Sequence, residues 1–387
     1  MNAPAENRGE LFTPFNIITG LILIFGGAIV VLRFAHGLSY ATNLTQTTTW
    51  GLWTGFKLVF VALAASGYAL TTAVYIFGMH EYHPLVRPAV LSGFMGYTLF
   101  ILILIFDLGR AWRIYYPFLV RPGVTSALFE IALCVALYYT TQFVELTPVG
   151  FEWLGWKRWR KAVIGVTVGL TVFGLFLSML HQSTLGALFL AVPGKLHPLW
   201  YSPYIPLHFF ISSAVGGISM VILVGLISKR VWGHKMEITR KKLDQLTIGL
   251  GKGSAIALAI YFAVKIVDIS IANKWHYLGT GWGLWYLVEV LGFVLLPCVL
   301  FAHGHREKLP RLIRFTALLT VLGVILNRLN VSVVAYNWKF TIEQRYFPYW
   351  MEYVVVVFLI TLGVVIFRWV AQRMPVLYDH PDYKGSH

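Results

Sequence analysis

Ten stretches of about 20 apolar residues, separated by short polar loops, constrain this chain more than any other feature of its sequence. A helix rises about 1.5 Å per residue, so a stretch of that length matches the roughly 30 Å of hydrocarbon in a bilayer. The stretches run over 15–35, 50–78, 88–109, 123–146, 162–182, 205–230, 246–272, 282–303, 311–336 and 347–371. Only 12% of the residues are charged, against roughly 25% in soluble domains. The expected class is an all-α polytopic membrane protein of about ten transmembrane helices. It divides into a tail at 1–14, a membrane domain at 15–372 and a second tail at 373–387. The segment 184–200 is apolar but too short and too rich in Pro and Gly to cross. It is expected to lie in the interface or to re-enter between helices.

The net charge of +15 would point a soluble protein towards nucleic acid. Here most Lys and Arg fall in short loops, where they set orientation instead. One side receives Arg87, Lys157, Arg158, Arg160, Lys161, the cations from Lys229 to Lys242, and those from Arg306 to Arg314. The other receives only seven, from Arg110 to Arg345. The positive-inside rule therefore places both termini and the even-numbered loops in the cytoplasm. The far side is dense in Trp and Tyr, as an interfacial belt requires. Cys134 and Cys298 lie in apolar spans without metal-binding spacing and read as packing residues. Membrane lipid, and no nucleic acid, is the expected environment.

Most of the ionisable residues inside the spans lie towards the far face, and ten of these are Lys57, Asp107, Glu130, His181, His208, Lys265, Asp268, Glu289, Arg328 and Glu352. A charge in hydrocarbon costs about 3 kcal/mol or more, so such residues mark a site or a conduit. Asp107 is expected to close the third helix with Arg110 one turn later. Glu130 is placed two turns inside the fourth helix, deep enough to relay protons. His181 is placed at the end of the fifth helix. Lys265 and Asp268 stand at i,i+3, where they can neutralise one another. Snorkelling to the interface is the plain alternative for Asp107, His208 and Glu352, but not for Glu130, Glu289 or Arg328.

Several chemistries can use such a chamber. A quinone needs a hydrogen-bond donor, a group titrating near neutrality and an apolar slot. His181 with Gln182 supplies the first two, and Tyr336 and Trp338 are candidates to flank the ring. A b-type haem needs two facing histidines, for which His181 and His208 are the one matched pair. A transporter typically shows paired breaks in inverted repeats, and Pro297 has no obvious counterpart. Hydroxyls on the inner half, among them Tyr68, Tyr75, Tyr97 and Tyr138, outline a cytoplasmic half-channel towards Glu130. Side chains of this kind more often bond their own helix.

The segments WGLWTGFKLVF, YHPLVRPAVLSGFMGYTLF and FDLGRAWRIYYP, between Trp50 and Pro117, resemble the NrfD/PsrC-like membrane subunits of bacterial respiratory oxidoreductases, and the HybB subgroup in particular. MLHQSTLGAL, KLHPLW, LNRLNVSVVAYN and YFPYWME extend the resemblance over nearly the whole chain. It implies a haem-free anchor in the bacterial inner membrane, built mainly of two four-helix bundles. Menaquinone or ubiquinone would bind near the periplasmic face and exchange electrons with a docked four-cluster ferredoxin-like iron–sulfur subunit. That subunit would serve a NiFe hydrogenase, a molybdopterin protein or a multihaem cytochrome c, and the iron–sulfur clusters would belong to the partner. By position the resemblance assigns His181, Gln182, Asp107 and Arg110 to the quinone pocket. Glu130 and Arg328 rest on depth. Lys57 departs from the pattern, since the family carries an acid there; it is expected to pair with a buried carboxylate or to touch the quinone.

Overall fold

The computed structural model describes residues 13–378, so most of the two tails expected at 1–14 and 373–387 lies outside the described residues. Among the described residues, ten helices are long and apolar enough to cross a membrane. They are α1 (Pro14–His36), α2 (Leu52–Ile76), α3 (His80–Asp107), α4 (Ala127–Leu154), α5 (Lys157–Ala191), α6 (Ile205–Val231), α7 (Arg240–Ile271), α8 (Gly281–Arg306), α9 (Pro310–Val334) and α10 (Trp350–Arg373). An even number of crossings puts the start of α1 and the end of α10 on one face, here the proximal face. The connections 36–52, 107–127, 191–205, 271–281 and 334–350 lie on the opposite, distal face.

Helices α2 to α5 pack as one four-helix bundle and α6 to α9 as a second, joined where α6 meets α5 and α2 and where α9 meets α2. The two bundles match the arrangement implied by the resemblance. Helices α1 and α10 pair with one another outside them and rest against α3. Helix α1 exposes Ile17, Ile18, Leu21 and Ile24 and buries only Gly26, Ile29 and Arg33. That outward apolar surface is what hydrocarbon requires of a peripheral span. Arg33 fixes its docking: Nε donates to the Phe106 carbonyl at 2.6 Å and a terminal nitrogen donates to the Leu108 carbonyl at 2.5 Å. Both carbonyls lie at the C-terminal end of α3, where intrahelical donors run out. On the proximal face buried Glu152 ties three helices together, accepting from Arg87 at 2.9 Å and from Arg160 at 2.7 Å.

Three spans are locally widened or broken. Helix α2 bends at Ala64–Ala65 and ends in a π-turn over Thr72–Ile76. Helix α8 is π-helical over Val288–Leu295, immediately before Pro297. Proline lacks the N–H that residue 293 would otherwise receive, and a widened turn absorbs that loss without ending the span. Helix α9 closes in a third π-turn over Asn330–Val334. The bend in α2 brings backbone against backbone: a Cβ added at Gly217 of α6 would sit 2.5 Å from the Ala65 carbonyl carbon. Gly217→Ala is therefore expected to destabilise the bundle interface by about 1–3 kcal/mol. Thermal unfolding of the detergent-solubilised protein checks it, and an unchanged midpoint would exclude the close approach.

The segment 184–200 does not cross. Helix α5 runs on to Ala187 and a 3₁₀ turn to Ala191, and the chain then folds over the distal ends of the bundles. Phe189, Leu196, His197 and Trp200 are buried there. A two-stranded contact pins the segment: His197 N–H donates to Ala335 O at 3.0 Å, and Asn337 N–H to Lys195 O at 2.7 Å.

Candidate functional site

The first polar centre lies inside the α2–α5 bundle. His181 is completely buried. Its Nε2 shares a short hydrogen bond with the Tyr97 hydroxyl, and its Nδ1 lies 2.6 Å from the Leu177 carbonyl. The Tyr97 ring stands edge-on to the imidazole, and the Tyr138 ring tilts against it at 5.4 Å. Gln182 donates to the Val61 carbonyl at 2.9 Å, which locks α5 to α2. Gln142 donates to the Tyr138 hydroxyl at 3.0 Å. It fits because Gly67 and Gly93 stand on either side: a Cβ at either position would come within 2.7 Å of its amide nitrogen. His181 does not end its helix as the apolar window indicated. Ten residues follow it up to and including Ala191, so it sits about 15 Å below the distal end of α5.

Towards the distal face, Lys57 and Asp107 form an ion pair at 2.5 Å, with the Thr54 hydroxyl donating to the same carboxylate oxygen at 3.3 Å. Their side chains keep 16% and 11% of their exposure, unlike His181. Lys57 lies one helical turn distal to Val61, so the pair stands above the His181–Gln182 group on the same side of α2. Lys57 thus pairs with a carboxylate, the first of the two expectations for it. Arg110 does not join it: it follows the end of α3 and is exposed.

The second centre lies in the α6–α9 bundle around Glu289, which is fully buried on the π-helical turn of α8. Asn327 and Lys265 donate to one carboxylate oxygen at 2.8 and 3.4 Å, and Asn330 and Trp200 to the other at 2.6 and 2.8 Å. Arg328, also buried, donates to the Asn327 side chain at 2.6 Å, the Ser212 hydroxyl at 2.9 Å and the Phe209 carbonyl at 3.1 Å. Its guanidinium lies over the Phe209 ring at 3.8 Å. A cavity of about 20 Å³ lined by Glu289, Asn327, Tyr261 and Ser212 adjoins this cluster, room for about one water. Depth and burial agree for Glu289 and Arg328.

Four expectations need correction. Glu130 is in the first turn of α4, because that helix starts at Ala127 rather than 123. It is exposed, with the Thr184 hydroxyl donating to it at 2.8 Å, and is no buried relay. Lys265 and Asp268 do not neutralise each other. Lys265 turns to Glu289, while Asp268 accepts from Ser202 at 2.7 Å and lies 3.8 Å from Lys274. Glu352 caps α10: it accepts the Tyr349 N–H at 3.0 Å, the Asn43 N–H at 3.2 Å and the Tyr346 hydroxyl. Its burial comes with that cap rather than from snorkelling. Tyr336 stacks on Trp50 with centroids 5.0 Å apart, so one of its faces is already covered.

The distal cap holds a histidine that loop position did not single out. His197 is boxed by Trp200, Tyr277, Trp282 and Trp338 at centroid distances of 4.8 to 5.6 Å, and its Nδ1 accepts the Leu199 N–H at 3.2 Å. Burial among these rings lowers its pKa to about 4, which keeps it neutral at neutral pH. Tyr97 and Tyr138 were visible in the sequence only as hydroxyls on helices. Arg33 carried no signal beyond being a charge within an apolar span.

Among the described residues, ten apolar helices, eight of them in two four-helix bundles and two paired outside, with ionisable side chains buried between them, define a polytopic all-helical membrane protein with polar interior sites. The family described as "Polysulphide reductase, NrfD" matches residues 40–340, and the chain belongs to it. A protein of Nitratidesulfovibrio vulgaris (strain Hildenborough) is 50% identical over 99% of both chains. The Escherichia coli (strain K12) "Probable Ni/Fe-hydrogenase 2 b-type cytochrome subunit" is 30% identical over 99% of this chain and 98% of its own length. The "Menaquinone reductase, integral membrane subunit" of N. vulgaris is 25% identical over 88% of this chain and 86% of its own.

The name of the E. coli relative raises haem, for which His181 and His208 are the matched pair. They do not fit it. Both ring nitrogens of His181 already have protein partners. His208 buries an unpartnered Nε2 with its ring edge-on to Tyr261. An iron held between them would need His181 to give up Tyr97 or Leu177.

Proposed function

We propose that this chain is the quinone-reactive membrane subunit of a respiratory oxidoreductase complex in the bacterial inner membrane, handling menaquinone or ubiquinone at Lys57 and Asp107. The observation that carries this reading is the partly exposed Lys57–Asp107 pair standing above the buried Tyr97–His181 hydrogen bond. The quinone/quinol couple supplies two electrons and two protons. Lys57 is the hydrogen-bond donor for a quinone oxygen, and Asp107 the carboxylate that takes or returns its proton. Tyr97 and His181 hold a second proton position one to two turns deeper. Relatives called a hydrogenase subunit and a menaquinone reductase subunit support the class. Electrons would pass to an iron–sulfur partner, of the four-cluster ferredoxin-like kind, on the distal face. That face would be periplasmic, since the proximal loops hold most of the cations.

Tyr97→Phe removes the hydroxyl partner of His181 and little else. In the intact complex it is expected to lower quinone-dependent turnover about tenfold, and His181→Ala by about 100-fold or more. Turnover of the partner with an artificial dye should stay unchanged in both. Full quinone turnover in both variants would overturn the site.

Proton translocation is a finer part of the proposal. A cavity of about 80 Å³ on the proximal side is lined by Thr71, Tyr75, His83 and Glu145 among others. Glu145 accepts from Thr171 at 3.2 Å and is one turn from Gln142, which bonds Tyr138 beside His181. A proximal proton route would therefore lead to His181, and not to Glu130. In liposomes, quinone turnover by the complex is expected to generate a membrane potential beyond that of its partner subunits alone. Turnover without added potential would remove the route.

A further inference from the structure

A groove of about 550 Å³ opens on the proximal face, far from the site described above. It is lined by Leu226, Lys229, Arg230, Arg240, Leu243 and Arg314, at the proximal ends of α6, α7 and α9. We propose that it binds the phosphodiester headgroup of an anionic membrane lipid.

Charge and shape both support this. Four cationic side chains converge on one concavity whose lining holds no acidic residue, and Arg314 also pairs with Asp244 at 2.5 Å. Lys229 is held in place by donating to the Gly233 carbonyl at 3.1 Å and the Met236 carbonyl at 3.0 Å. Arg314 sits one turn inside α9 with its side chain only 11% exposed, and its Nε is buried without a hydrogen-bond partner. Orientation requires cations in proximal loops. It does not require them to line a cavity or to leave a buried guanidinium donor unfilled. A phosphodiester offers the acceptor oxygens such donors lack.

The apolar lining favours lipid over free phosphate. Leu226 and Leu243 form part of the groove wall. On the same helices Ile227 is 53% exposed, Phe315 58% and Leu318 47%. These exposed side chains on the groove's own helices offer acyl chains an apolar surface, so a bound headgroup keeps its tails in hydrocarbon. Basic pockets between helices at the membrane–water boundary are suited to anionic headgroups.

Native mass spectrometry of the purified, delipidated protein, titrated with phosphatidylglycerol or phosphatidylcholine, tests the inference. Phosphatidylglycerol should be retained selectively. Each cation near an anionic group strengthens binding about fivefold, so Arg230→Gln with Arg240→Gln should weaken retention roughly twenty-fivefold. Both residues are exposed, which makes loss of folding an improbable source of the effect; a matched thermal midpoint verifies it. The charge-matched control Arg158→Gln with Lys161→Gln, on exposed cations outside the groove, should retain lipid as the parent does. Equal retention of the two lipids, or equal loss in the control pair, would overturn the proposal. Displacement of phosphatidylglycerol by equimolar inorganic phosphate would also overturn it, by assigning the groove to a soluble anion.

Discussion

Asp107→Asn is expected to reduce quinone-dependent turnover of the assembled complex by about 10²- to 10⁴-fold, the range a positioned general acid or base contributes. Asparagine keeps the shape of the side chain and can still accept from Thr54. What it loses is the capacity to take a proton and to hold Lys57 as a counter-ion at 2.5 Å. Lys57→Met separates these two losses. It removes the donor but leaves a carboxylate able to take a proton, so the proposed assignment gives a larger effect on KM than on kcat. Both variants should co-purify with the partner subunits, because the pair is mostly covered by its own bundle and offers the docking face little surface. Wild-type kcat in Asp107→Asn, measured with a soluble quinone analogue, would end the assignment.

The largest expected effect on stability lies elsewhere. Glu289→Leu removes a carboxylate that accepts from Asn327, Asn330, Trp200 and Lys265. Lys265 would then be left buried and charged between Tyr261 and Tyr286, each 5.2 Å from its Nζ. Breaking a buried pair on one side costs about 3–5 kcal/mol, a large part of a typical 5–15 kcal/mol. The expected outcome is loss of monodisperse protein after detergent extraction. Adding Lys265→Met should restore a good part of it, because the stranded charge is gone, and this coupling separates charge pairing from simple loss of volume. A Glu289→Leu protein as heat-resistant as its parent would show that the cluster does not hold the second bundle.

Depth along a span was readable from the sequence, and rotation about it was not. Glu289 and Arg328 fell well inside apolar windows and are buried. Glu130 fell inside a window too, but its helix starts at Ala127 and turns it outward. Lys265 and Asp268 were near enough on one helix to pair, yet each has a partner from another segment. An i,i+3 spacing states what is within reach and cannot exclude a better acceptor on a neighbouring helix. Arg110 was one turn from Asp107 along the chain, but α3 ends between them. Motif resemblance placed His181, Gln182, Asp107 and Arg110 in one region; the fold gathers the first three, together with Lys57, along the facing sides of α2, α3 and α5 and leaves Arg110 exposed.

From sequence alone the class of this protein was determined: ten apolar helices, the charge bias between their two faces, and the presence of ionisable groups within the spans. Those properties follow from segment length and polarity against a hydrocarbon slab about 30 Å thick, which acts on each helix separately. Tertiary structure alone decided which charges meet. It paired Lys57 with Asp107, gave His181 to Tyr97, gathered four donors on Glu289 and set Arg33 on the end of α3. Those choices depend on how each helix is rotated and which helix lies beside it. Close backbone approaches such as Gly217 on Ala65 set that relation, and no window along one segment contains it.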